Sequence, residues 1–106
     1  MTLESKTCVP CEGGVERLDA GRVASYLGVL SGWTARDEKI HKGYAFRDFV
    51  EAMAFVNRMA AVAEHEGHHP DFRVHWNLVD VTIWTHAIDG LSENDFILAA
   101  KIDAAR

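Results

Sequence analysis

A proline at position 70 divides this chain into two kinds of pattern. Upstream, Phe49, Met53, Val56, Ala60 and Ala63 recur at helical spacing, with Phe55, Met59 and Val62 beside them. Downstream, Val79, Val81 and Ile83 alternate with Asp80, Thr82 and Trp84 in the period of a strand. Proline cannot sit inside a helix and disfavours helix at the residue before it. The helix must therefore end between Glu66 and His68, with Gly67 available for the exit. Its apolar band is wide, which fits a helix laid across a sheet rather than a two-stranded coil. Asp48 can cap it, with Glu51 at capping-box spacing.

The other elements follow from the same rules. Asp19 can cap an earlier helix running to about Ser31, carried by Val23, Leu27 and Leu30, with Gly32 as a stop. Trp33–Arg36 and Lys39–Arg47 read as strands of a hairpin about Asp37-Glu38, with Ile40, Tyr44 and Phe46 on one face. Phe72–Thr85 is a second sheet-forming stretch, and Asn77 leaves open whether it is one bent strand or two. Asp89-Gly90 is a turn. Ser92 and Asp95 cap a last helix to about Ala104, with Phe96, Ala99, Ala100 and Ile102 toward the core. The order α-β-β-α-β-β-α predicts an α+β fold, a four-stranded antiparallel sheet with three helices packed on one face.

Length and charge narrow the function. The 106 residues suit one domain, here 18–106, preceded by a partly ordered arm over 1–17. A net charge of −5 argues against a nucleic-acid partner, which needs a basic face for phosphates. No apolar run approaches the roughly 18 residues of a membrane span, and the N-terminus lacks a signal pattern, so a cytoplasmic protein is expected. Cys8 and Cys11 form a single C-x-x-C with no second pair to complete a zinc tetrahedron. They read as two thiols in a loose arm, without a catalytic role.

Chemistry concentrates in Glu64-His65-Glu66-Gly67-His68-His69-Pro70-Asp71, with a further histidine, His86, after the strand that follows. The run matches H-E-x-x-H, but that zinc signature needs both histidines on one face of a continuing helix, which Gly67 and Pro70 oppose. Three imidazoles from His68, His69 and His86 could hold a metal. Adjacent histidines at an irregular exit point apart, so no metal is expected. The remaining reading is acid–base catalysis, since histidine titrates near 6.5 and can both take and give a proton. Glu64, one helical turn before His68, could fix an imidazole tautomer.

The series Glu64, His68-His69-Pro70, Trp76, Thr85-His86, Gly90-Leu91-Ser92-Glu93-Asn94-Asp95 resembles the pterin-4a-carbinolamine dehydratase signature, with Gly32-Trp33 and Phe46-Arg47-Asp48-Phe49 as supporting context. The resemblance runs from about Cys8 to Ala105. It implies an α+β fold and dehydration of a 4a-hydroxytetrahydropterin to quinonoid dihydropterin and water, as in pterin recycling. It further implies His68 and His86 as the acid–base pair and His69 as the residue that binds and orients the pterin. Glu64 would support His68, Asp95 would stand at the pocket edge, and Trp33 and Trp76 would contribute to substrate binding. No cofactor is implied, and the partners would be the pterin and copies of the chain in a homodimer or homotetramer. Animal members also act as dimerisation cofactors for a transcription factor, so a binding or assembly role is the alternative.

Overall fold

The order of elements follows the backbone chemistry of a few capping and turn residues. The computed structural model describes residues 2–10 and 14–106. Cys11 lies outside the described residues. After a short 3-10 helix at Leu3–Ser5 come α1 (Ala20–Gly28), β1 (Thr34–Arg36), β2 (Lys39–Ala45), α2 (Phe49–Glu66), β3 (Asp71–His75), β4 (Leu78–Ile83), a 3-10 turn at His86–Ile88, and α3 (Glu93–Ala105). This is the expected α+β order.

Asp19 caps α1 by accepting the Arg22 N–H at 2.9 Å. The helix stops at Gly28 rather than near Ser31, because the Val29 and Leu30 amides tighten onto Tyr26 and Leu27 in three-residue bonds. Asp37 and Glu38 both take positive φ, +56° and +63°, which matches the right-handed twist of the hairpin they close. Asp48 accepts the Glu51 N–H at 2.9 Å, but the Glu51 carboxylate reaches back to Arg47 N–H at 3.1 Å rather than to Asp48. Gly67 ends α2 in the left-handed region at φ +66°. Its N–H meets Glu64 O at 3.3 Å, and the His68 N–H meets Ala63 O at 3.2 Å, a Schellman exit.

The four strands lie in the order β1-β2-β4-β3, all pairings antiparallel. The stretch after Pro70 is thus two strands. Trp76, at φ +54°, occupies the turn between them. Ile40, Tyr44, Val79, Val81 and Ile83 point into the core against α2 and α3. Along α2 the buried line is Ala52, Phe55, Val56, Met59 and Ala63, whereas Phe49 and Ala60 are exposed. The expected stripe was therefore rotated: the band is wide, and the position of the sheet selects its centre. Phe96, Ala99, Ala100 and Ile102 of α3 are all buried, as expected. Cys8 is also buried, with its Sγ 3.5 Å from Asn94 O, so it is not a thiol on a loose arm. No described helix is long and apolar enough to cross a membrane.

Candidate active site

The β3–β4 register decides which predicted residues can meet. Asp71 pairs with Thr82 and His75 with Leu78. His68 and His69, just before β3, and His86, just after β4, therefore lie at the same end of the hairpin. Trp76 lies at the other end, about 17 Å away along five strand residues.

The left-handed turn at Gly67 directs the two adjacent histidines to different partners. His68 is buried, and its Nε2 lies 2.6 Å from Oδ1 of the fully buried Asp95. The other oxygen of Asp95 accepts Ser92 N–H at 2.8 Å and Thr85 Oγ1–H at 2.9 Å. Thr85 Oγ1 also lies 2.8 Å from Ser92 Oγ. A carboxylate can only accept, so the network assigns the Nε2 proton to His68. Nδ1 of that ring has no hydrogen bond among the described residues. Asp95 does two jobs with one carboxylate: it closes the capping box of α3 and orients His68.

His69 is exposed, and its Nε2 sits 2.9 Å from Glu64 Oε2. Glu64 thus supports His69, not His68 as the family resemblance implied, because the Schellman exit turns residue 68 inward and leaves 69 over the last helical turn. His86 is exposed at the start of the 3-10 turn. Its ring lies 4.0 Å from that of Trp84, tilted by 31°, and Lys39 Nζ sits 4.5 Å from the Trp84 centroid.

Trp33 is not with the histidines. It is buried, edge-on to Tyr44, and its Nε1 donates to Asp103 of α3 at 3.0 Å. Lys42 Nζ reaches the same carboxylate at 2.8 Å, and Tyr44 also donates to it. A cleft of about 580 Å³ opens on the uncovered face of the sheet. Asp71, Thr82 and Trp84 line it; His69 and His86 do not.

Two residues of this arrangement had no role assigned from sequence. Thr85 continues the inward register of Val79, Val81 and Ile83, so a hydroxyl falls at a core position. A buried hydroxyl requires a hydrogen-bond partner, and that was the available signal. Trp84 takes the outward register and left no signal beyond its size.

A family model described as pterin 4 alpha carbinolamine dehydratase matches residues 16–105. The chain belongs to the pterin-4a-carbinolamine dehydratase family. A Dechloromonas aromatica (strain RCB) protein provisionally named pterin-4-alpha-carbinolamine dehydratase is 50% identical over 101 residues, covering 95% of this chain and 90% of its own length. A Rickettsia canadensis (strain McKiel) protein with the same provisional name is 46% identical, covering 96% and 95%. Among solved structures, a Brucella melitensis protein titled transcriptional coactivator/pterin dehydratase superposes with a TM-score of 0.82 at 36% identity, covering 85% of this chain and 98% of its own. A pterin dehydratase-like protein titled as a RuBisCO assembly factor in the alpha-carboxysome matches at a TM-score of 0.59 and 24% identity, covering 69% and 84%, and shows the fold alone.

Proposed function

We propose that this member of the dehydratase family is a hydro-lyase that converts a 4a-hydroxytetrahydropterin to quinonoid dihydropterin and water. In that reaction the N5–H proton leaves, the C4a–O bond breaks, and the C4a=N5 double bond forms. The departing hydroxyl takes a proton and exits as water. One group must accept a proton and another must give one, which suits two imidazoles near their unperturbed pKa. His68 and His86 are that pair in this reading, and His69, held by Glu64, orients the ring.

One observation carries the reading. Two hydrogen bonds, His68–Asp95 and Thr85–Asp95, tie His68 to the residue immediately before His86. The two proposed acid–base groups are thereby anchored to one buried carboxylate, although they stand 18 positions apart in sequence. A carboxylate that fixes an imidazole tautomer also stabilises the imidazolium formed when the free nitrogen takes a proton.

The test is the decay of 4a-carbinolamine absorbance with and without protein. Acceleration by the wild type, a loss of about 10²-fold in His68→Ala or His86→Ala, and insensitivity to a chelator support the reading. Equal acceleration by the double variant would remove the histidines from the mechanism. No acceleration by the wild type would favour a binding or assembly role.

A further inference from the structure

The His68–Asp95 pair spans two separate elements, the exit of α2 and the first turn of α3. The residues flanking the pair are held together by a segment that precedes the span matched by the family model, which begins at residue 16. Cys8 N–H donates to Glu66 Oε1 at 2.9 Å, and Glu66 lies two residues before His68. Val9 N–H donates to Asn94 Oδ1 at 3.0 Å, and Asn94 Nδ2 returns a bond to Val9 O at 2.7 Å. Asn94 is the residue before Asp95. Two consecutive residues of the N-terminal segment thus grip the neighbours of both partners.

Outer contacts fasten the same segment. Lys6 Nζ meets Glu93 Oε2 at 2.7 Å, and Tyr26 donates to that oxygen at 2.8 Å. Lys101 Nζ donates to Glu4 O at 2.9 Å and lies 3.5 Å from Glu66 Oε2. The Glu66 side chain is only 2% exposed, so a carboxylate has been taken from water to receive the Cys8 amide. An unsolvated carboxylate is costly unless paired and hydrogen-bonded, which makes this contact specific rather than incidental.

We propose that Cys8-Val9 is a clasp that sets the position of His68 against Asp95, with Glu66 and Asn94 as positioning residues for His68. The catalytic consequence rests on the acid–base reading of His68. The geometric claim does not. A displacement of about 1 Å at a reacting group can cost on the order of 10²-fold in rate, so a clasp acting through the backbone has leverage without touching substrate.

The experiment uses the full chain with Cys11→Ser, so that Cys8 is the only thiol. In this background Asn94→Ala and Glu66→Ala are compared with Glu66→Gln, which keeps an acceptor for Cys8 N–H. Four quantities are read: the Nε2 proton resonance of His68, the rate of Cys8 alkylation, and kcat and KM for carbinolamine dehydration. The expected result is faster Cys8 alkylation and a shifted or broadened His68 proton in both alanine variants, with kcat down about tenfold and KM unchanged. Glu66→Gln should restore the His68 signal. If an alanine variant loses the fold, Asn94→Asp takes its place, keeping an acceptor for Val9 N–H while replacing the donor to Val9 O by a charged oxygen. Faster alkylation with an unchanged His68 signal would overturn the proposal. A His68 signal that moves in a protein with no wild-type dehydration would leave the clasp standing and sink the enzymatic reading instead.

Discussion

Nε2 of His68 and Oδ1 of Asp95 are 2.6 Å apart, Asp95 fully buried and His68 nearly so, and the opposite oxygen of Asp95 holds Thr85 and the Ser92 amide. Replacing the carboxylate by an amide of the same shape tests whether this is more than a helix cap. Asp95→Asn removes the charge that would stabilise a His68 imidazolium and offers a donor where Thr85, Ser92 and His68 all donate. We expect kcat to fall about 10²-fold with a smaller change in KM. Asp95→Ala leaves two buried donors, His68 Nε2–H and Ser92 N–H, without an acceptor, while Thr85 keeps Ser92 Oγ, and should also lower stability by a few kcal/mol, at roughly 1–3 kcal/mol per unsatisfied group. Wild-type turnover in Asp95→Asn, with only the urea midpoint reduced, would make Asp95 a structural cap alone.

Trp84 is the expected determinant of where the His86 ring points. No hydrogen bond orients that ring among the described residues; its contact is the Trp84 face at 4.0 Å. An aromatic pair of this kind contributes about 0.5–1.5 kcal/mol, enough to bias a surface side chain toward one rotamer. Trp84→Leu should reduce kcat several-fold and Trp84→Phe less. Because Trp84 is half-buried and packs against the core just past the end of β4, both should also lower the thermal midpoint, Trp84→Phe less, and kcat is compared well below it. Equal kcat in all three proteins would show that His86 needs no such shelf.

The N-terminal segment should make stability pH-dependent at both ends of the range. Glu93 is held below the ordinary glutamate value of 4.5, chiefly by its hydrogen bond from Lys6 and then by that from Tyr26. For Glu66 burial is the largest influence and pushes upward, but the Cys8 amide and Lys101 outweigh it, and the net shift is also downward. A carboxyl lowered in the folded state stabilises above its unfolded pKa, and that contribution is lost as pH falls through the lower folded value. The clasp should therefore loosen on acidification below 4.5. The Cys8 thiol moves the other way: burial, then Glu66, raises it from 9.0 to about 12. The native state keeps its proton where the unfolded chain has lost it, so stability should decline as pH rises from 9.0 toward 12. Urea midpoints at pH 7, 9 and 11 check this, and Cys8→Ala should flatten the alkaline limb.

The sequence made element boundaries legible wherever a residue dictates backbone geometry. Asp48, Gly67 and Pro70 fix both ends of α2, and Ser92 with Asp95 fixes the start of α3, because capping and left-handed turns depend on local chemistry. That His68 and His86 lie at one end of the sheet was not legible from the strand pattern, which left open one bent strand or two between them; the β3–β4 hairpin decides it. What also could not be read was direction within an element. A wide apolar band does not say whether Ala52 or Phe49 faces inward until the sheet is in place. Adjacent histidines do not say which turns in; the Schellman exit decides that, and with it Glu64 passes from His68 to His69. The grip of Cys8 and Val9 was hidden because single amide-to-side-chain bonds leave no periodic trace.

The open edge of the sheet leads to a last expectation, that the chain self-associates. β1 and β3 are the edge strands, and the β3–β4 hairpin exposes Phe72 at 44%, Trp76 at 69% and Leu78 at 45%. Phe49 and Val50 at the start of α2 are exposed at 49% and 75%. Unpaired strand groups beside apolar side chains form a template for pairing with another chain, and clustered exposed apolar residues mark interaction surfaces. Trp76 lies at the opposite end of the hairpin from His68, His69 and His86 of its own chain, so a packing role suits it better. Sedimentation at micromolar concentration should give a mass above the 11.8 kDa of one chain. Trp76→Lys, placing a charge at the tip of the hairpin, should shift the protein toward monomer if this hairpin forms the interface. A wild-type protein that sediments as a monomer would show that these residues are simply exposed.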